Sequence, residues 1–223
     1  MAPVFDPISI TVYSDVICPW CYVGKRRLEA ALAEGGPSMI GHMSFSWRPF
    51  ELNPDMPAGG MERRSYRAAK FGDARSAELD LKMAETGREL GIAFAFDRMQ
   101  RTPNTRLAHR LIWEAGRQGC QDAMVERLFH GYFEEGLDIG ATDILRDLAD
   151  KCGLDGKGVE QALTGDDSLK AVTELEQEGY SLGIKGVPFF LLLNKYGVSG
   201  AQPLEFWRDA LPKVAAEATA AAS

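Results

Sequence analysis

Cys18-Pro19-Trp20-Cys21 lies between a strand-like run, Ile8 to Tyr13, and a helix-like run, Lys25 to Leu32. No other feature constrains the fold as much, because it marks a strand-to-helix junction and places two thiols one helical turn apart there. Ile8, Ile10 and Val12 alternate onto one face of the strand, and Leu28, Ala31 and Leu32 share one stripe of the helix. Cys18 is therefore expected at a helix N-terminus. Unpaired N–H groups and the positive end of the helix dipole favour a thiolate over a thiol there. Pro19 suits the first turn, which needs no N–H donor. A dithiol that cycles to a disulfide is the chemistry this spacing serves.

A structural zinc site would need four ligands, and Cys120, Cys152, His42, His109 and His130 supply no second close pair. No metal is expected. Two inert core cysteines at such a junction are hard to reconcile with the spacing. Cys120 and Cys152 lack the spacing of a second active pair and read either as simple buried thiols or as thiols that meet in space.

The formal net charge of -7 argues against a general nucleic-acid footprint. Lys25, Arg26 and Arg27 are expected on the solvated face of the first helix. Four cysteines in 223 residues do not make a secreted disulfide framework. Met1 to Pro7 lacks a basic segment followed by an apolar one, and no apolar run is long enough to span a bilayer. The expectation is a cytoplasmic protein without a membrane partner.

After a break at Gly35-Gly36-Pro37, Met43, Phe45 and Trp47 alternate as a second strand. Strand, helix and strand of these lengths make a parallel crossover, with the chemistry at the C-terminal edge of the sheet. Helical periodicity then dominates from Asn53 to about Gly165. The fold class is thus α/β with an inserted all-helical subdomain at 53–165, flanked by 1–52 and 166–223 as one discontinuous domain. Leu107, Leu111, Ile112 and Ala115 form one core stripe, and Val125, Leu128, Phe129, Tyr132 and Phe133 form another, ended by Gly136. A further helix opens at Thr142-Asp143. Ile92 to Phe96 reads as a loop packed over the insertion. Phe189 to Leu193 is a strand expected to be buried on both faces, followed by an Asn194-Lys195 turn, a strand at Gly197 to Ser199 and a helix from about Leu204. Ala215 to Ser223 is expected to fray.

This order is that of the thioredoxin fold with a helical insertion. Ser14-Asp15 before the dithiol, Tyr22 and Gly24-Lys25 after it, Phe50-Glu51-Leu52-Asn53-Pro54, Gly186-Val187-Pro188-Phe189-Phe190 and Ser199-Gly200-Ala201-Gln202 resemble the FrnE-like branch of the DsbA oxidoreductases over nearly the whole chain. The resemblance implies a cis peptide bond between Val187 and Pro188 beside the dithiol. It also implies a Val187 backbone on which an extended polypeptide substrate can pair as an added strand. Cys18 is read as the nucleophile and Cys21 as the resolving thiol of a protein disulfide reductase or isomerase. Kappa-class glutathione transferases and the glutathione-dependent 2-hydroxychromene-2-carboxylate isomerases are similar in this wider clan, but typically carry Ser where this chain has Cys18. They are the alternative enzyme reading, and a polypeptide-binding module with incidental thiols is the second alternative. No bound cofactor is expected beyond the redox-active disulfide, with glutathione a candidate co-substrate. Nothing in the sequence sets an oligomeric state.

Asp15 reads as a turn-capping carboxylate; if buried, its raised proton affinity would let it take the Cys21 proton. Asn104 and His109, in Pro103-Asn104-Thr105-Arg106-Leu107-Ala108-His109, resemble a stretch common in this branch and are candidates to face the site from the insertion. His109 otherwise reads as a hydrogen-bonded helix histidine with no local catalytic partner. Trp20 stands where the strongly oxidising DsbA proteins carry His. With one donor to the thiolate fewer, the expected potential is about -180 to -230 mV, below the roughly -120 mV of DsbA.

Overall fold

The computed structural model describes residues 8–36 and 43–221. The reading of Met1 to Pro7, Pro37 in the first break, His42 and the end of the C-terminal tail lie outside the described residues. A four-stranded sheet has the order β2-β1-β5-β6, built from β1 (Ile8–Ser14), β2 (Met43–Pro49), β5 (Phe189–Leu192) and β6 (Tyr196–Ser199). β1 runs parallel to β2, with Val12 opposite Trp47, and antiparallel to β5, with Val12 opposite Phe190. The parallel pair is joined through α1 (Pro19–Glu34), whose stripe of Leu28, Ala31 and Leu32 is buried. α9 (Leu204–Ala221) packs beside α1, and Trp207 meets Phe190 edge-on at 4.9 Å between ring centroids. Trp207 is fully buried, so truncating it to Ala would cost about 3–5 kcal/mol.

Between β2 and β5 run α2 (Arg63–Phe71), α3 (Asp73–Glu89), α4 (Arg106–Arg117), α5 (Gln121–Phe133), α6 (Thr142–Lys151), α7 (Gly156–Thr164) and α8 (Asp166–Ser181). A small antiparallel ribbon, β3 (Met61–Glu62) with β4 (Arg101–Thr102), interrupts this helical stretch. Two-residue strands carry no readable period, which is why sequence patterning shows helices alone. The apolar stripes of α4 and α5 are core, and one continuous cluster joins them to the sheet. Tyr22 of α1 provides the link, stacking on Phe129 at 4.9 Å and meeting Phe94, in the loop before β4, edge-on at 6.2 Å. On the other side of the sheet Gly179 of α8 lies against Tyr13, where a Cβ would come within 2.9 Å of the ring.

Four expectations are corrected. Lys25, Arg26 and Arg27 do not form a solvated face. Lys25 is 4% exposed and lies 3.2 Å from both Asp122 and Glu126 of α5, with Glu29 also in contact. Arg26 pairs with Glu29 and Glu126, and Arg27 donates to the Ala201 carbonyl at 2.7 Å. Burial opposes the Lys25 charge, but Asp122, Glu29 and Glu126 outweigh it and raise the ammonium pKa. β5 is buried on one face only, through Phe190 and Leu192, while Phe189 and Leu191 are half-covered. Its turn is centred one residue earlier than expected, on Leu193 and Asn194, both in the left-handed region at φ 53° and 54°. Lys195 N–H closes it on the Leu192 carbonyl at 2.9 Å. The tail stays helical to Ala221. Alanines propagate a helix well, and Glu217 ties this one to the hairpin through Lys195 Nζ and Tyr196 Oη, each at 2.7 Å.

Candidate active site

α1 begins without a side-chain cap. Cys18 occupies the N-cap position with φ -89° and ψ 109°, and Pro19 takes the first turn, where no donor is missed. The Cys18 N–H donates to the Asp15 carbonyl at 3.0 Å, and Cys21 N–H returns to the Cys18 carbonyl at 3.0 Å. This closes a tight turn holding both thiols, which are free, at one helix end. The Cys18 Sγ lies 3.6 Å from the Val187 carbonyl and points toward it as a donor. The Val187–Pro188 peptide is cis. Gly24 lets the loop approach α1: a Cβ there would stand 3.1 Å from Pro188 Cγ and 3.2 Å from Phe190 Cζ.

Cys21 is sealed beneath Cys18. Burial first, then its hydrogen bond with Cys18 and the Cys18 charge, push the Cys21 thiol well above the ordinary range, with Ser14 and the Asp15 backbone pulling the other way. The two cysteines thus differ in environment. One borders a groove and the other is enclosed.

Asp15 is both turn-capping and fully buried. Its carboxylate accepts from Ile17 N–H at 3.4 Å and from Leu52 N–H at 2.8 Å. The second bond comes from the segment after β2, whose Glu51 N–H donates to Glu176 Oε1 at 2.9 Å and whose Glu51 carboxylate is held by Arg106 at 2.9 and 2.7 Å. His109, buried on α4, brings Nε2 to 3.5 Å from Asp15 Oδ1, an ion-pair approach that falls short of hydrogen-bond geometry. The partner that sequence proximity could not supply thus comes from β1's end. Burial raises the Glu176 pKa, and Glu51 raises it further.

Asn104 is not brought to the dithiol. Its Nδ2 donates to the Met56 carbonyl at 2.8 Å and its Oδ1 accepts from Arg106 N–H at 3.0 Å, so it fixes the entry into α4. Trp20 is 42% exposed at the mouth of the groove in front of Cys18. Cys120 and Cys152 stand apart from the site: the Cys120 Sγ faces the Ala115 carbonyl at 3.6 Å and the Cys152 Sγ the Ala123 carbonyl at 3.7 Å. Burial and then the Cys120 charge raise the Cys152 pKa, so these two thiols are neighbours without a bond between them.

The groove encloses about 320 Å³ and runs from Cys18 under α2 and α3. Arg63, Tyr66, Arg67 and Lys70 of α2 line it, residues that sequence reasoning missed. Their signal was present, since Arg63, Arg67 and Lys70 follow the i, i+4, i+7 spacing of one helix stripe. Among the described residues no group of three or more His, Cys, Asp or Glu side chains is arranged to hold a metal ion. No helix among them is long and apolar enough to cross a membrane.

The sheet order, with two thiols at the start of α1 beside the Val187–Pro188 loop, defines a thioredoxin fold. The model of the DsbA-like thioredoxin domain matches residues 9–212, and the chain belongs to this family of thiol-disulfide oxidoreductases. It is 31% identical over 156 residues to the uncharacterized protein YwbO of Bacillus subtilis, covering 70% of this chain and 72% of that one. Among solved structures it is similar to the probable DsbA oxidoreductase of Streptomyces coelicolor, at 31% identity and a TM-score of 0.85, covering 94% and 91% of the two chains. The cytosolic disulfide reductase DsbM of Pseudomonas aeruginosa, solved with GSH, shares the fold at 22% identity and a TM-score of 0.62, covering 92% of this chain and 98% of that one.

Proposed function

We propose that this protein reduces or isomerises polypeptide disulfides through a Cys18–Cys21 dithiol cycle. The observation that carries the reading is the asymmetry of the pair: Cys18 borders the groove against the Val187 carbonyl, while Cys21 is sealed beneath it. The Cys18 thiolate attacks one sulfur of the substrate disulfide, forming a mixed disulfide and releasing the other sulfur as a thiolate. Cys18 caps the start of α1, so the positive end of the helix dipole stabilises the charge that develops on its sulfur. Cys21, deprotonated, then attacks Cys18 Sγ. The substrate leaves with both thiols, and the protein is left with a Cys18–Cys21 disulfide. Two electrons have passed from protein to substrate. Asp15, buried at the turn whose carbonyl receives the Cys18 N–H, takes the Cys21 proton.

Two molecules of glutathione restore the dithiol and leave as glutathione disulfide, a cycle that suits a reducing compartment such as the cytosol of the similar DsbM. An extended substrate pairs its backbone with Val187 beside the cis peptide. No bound cofactor enters the cycle.

Trapping tests the reading. Cys21→Ser should accumulate mixed disulfides with a polypeptide substrate through Cys18, released by reductant, and Cys18→Ser should accumulate none. Equal capture by a protein lacking both thiols would overturn it in favour of a binding module. Glutathione-dependent isomerase activity that outlasts the loss of Cys21 would overturn it in favour of the isomerase class.

A further inference from the structure

The groove in front of Cys18 is positively charged in a protein whose net charge is -7. Its cations are Arg63, Arg67, Lys70 and Lys82, and its carboxylate is Asp80. Asp80 is divided between Arg63 at 2.7 Å and Arg67 at 2.8 Å, so one carboxylate answers two guanidiniums. Burial lowers the Arg67 pKa, Asp80 restores part of it, and the Arg63 charge lowers it again. Lys70 bonds to neutral oxygens, Tyr66 Oη at 2.7 Å and Asn53 Oδ1 at 3.3 Å. Lys82 is exposed and has no carboxylate partner among the described residues. Aromatic faces also hold three of these cations in place. Arg63 lies 5.2 Å from the Phe96 centroid, Arg67 5.2 Å from that of Phe71, and Lys70 5.2 Å from that of Tyr66.

The same groove has an uncovered apolar lip. Trp20 and Phe71 are 42% and 40% exposed, large rings at the water boundary beside the thiol. α2, which carries Phe71 and three of the cations, buries no residue at all. An occupant complementary to this surface has an apolar side chain for the rings and a carboxylate for the unmatched lysines.

We propose that the groove selects polypeptide substrates in which an apolar residue and then acidic residues flank the reacting cysteine. The apolar side chain rests on Trp20 and Phe71, and the carboxylates meet Lys70 and Lys82. This rests on the exchange reading above and names its substrate class. Glutathione disulfide also carries carboxylates but has no apolar side chain, so it is separable by experiment.

Two disulfide peptides serve as probes, one with a leucine and two glutamates beyond its cysteine, the other with the glutamates replaced by lysines. At low ionic strength the protein should show kcat/KM about tenfold higher for the glutamate peptide, the order that two exposed ion pairs supply, with the preference fading as salt is added. Lys70→Glu with Lys82→Glu should abolish or invert the preference. Lys157→Glu with Lys213→Glu changes the net charge equally at exposed sites outside the groove and should leave the preference in place. Equal rates for the two peptides, or the same effect from both double variants, overturns the proposal. If glutathione disulfide, or a glutamate peptide lacking leucine, matches the full peptide, the apolar part falls. Calorimetric binding of the reduced peptides to the Cys18→Ser, Cys21→Ser protein separates the two levels of the argument. Retained acidic preference in binding, with no turnover by the wild-type protein, would sink the exchange reading and spare the groove.

Discussion

The Asp15 carboxylate and the His109 imidazole face each other at 3.5 Å, both side chains sealed from water. Burial opposes the charge on His109, but Asp15 chiefly, then Glu176 and Glu51, outweigh it, so the imidazole pKa lies above its ordinary 6.5. The folded protein therefore holds this proton more tightly than the unfolded chain. The resulting stability is full below about pH 6.5 and is lost as the pH rises through the elevated folded value. Arg106, bound to Glu51, is the opposing cation nearby. Glu176 shifts in the same direction at lower pH, so a comparison of variants isolates the histidine. Urea midpoints of the wild type should fall from pH 6.5 upward, and those of His109→Gln should flatten over that range. Parallel curves would refute the coupling.

The enclosed thiol should be chemically silent. With Cys21 pushed well above the ordinary thiol range by burial and by Cys18, brief alkylation of the reduced protein near pH 8 should label Cys18 and spare Cys21. Peptide mass mapping reads the result directly. Equal labelling of both sites would show that the pair is not asymmetric in solution.

Equilibration with glutathione buffers should give a potential of about -180 to -230 mV, and Trp20→His should raise it toward the roughly -120 mV of DsbA. Trp20 reaches into the groove mouth and not into the core, so this exchange should leave stability within about 0.5 kcal/mol. A wild-type value near that of DsbA would contradict the expectation.

Gly24 sets how close α1 comes to the loop of Pro188. Gly24→Val would force branched methyls into space already filled at 3.1 and 3.2 Å, at a cost of about 1–3 kcal/mol. Because Pro188 would move with the clash, the rate of exchange should drop alongside the denaturant midpoint. A variant as stable and as fast as wild type would show that the loop yields freely.

What the chain reveals on inspection is what is local. The alternation in β1, the turn at Cys18 and the stripes of α4 and α5 each depend on residues within a few positions of one another, and they appear where the pattern puts them. The misreadings at the site involve remote partners. Lys25 looks like a surface lysine until Asp122 and Glu126 arrive from α5. His109 looks partnerless because Asp15 lies at the far end of β1, and Asn104 looks available because Met56 and Arg106 claim it only in three dimensions. The basic stripe of α2 was visible as spacing, but its meaning depends on standing over Cys18.

The helix that forms the outer wall of the groove, α2, holds no fully buried residue. Most of its positions can therefore change with little penalty in folding, while each change alters what the reactive sulfur meets. The chain thus separates two tasks: a packed chemical engine beneath, and above it a panel open to change without rebuilding the core.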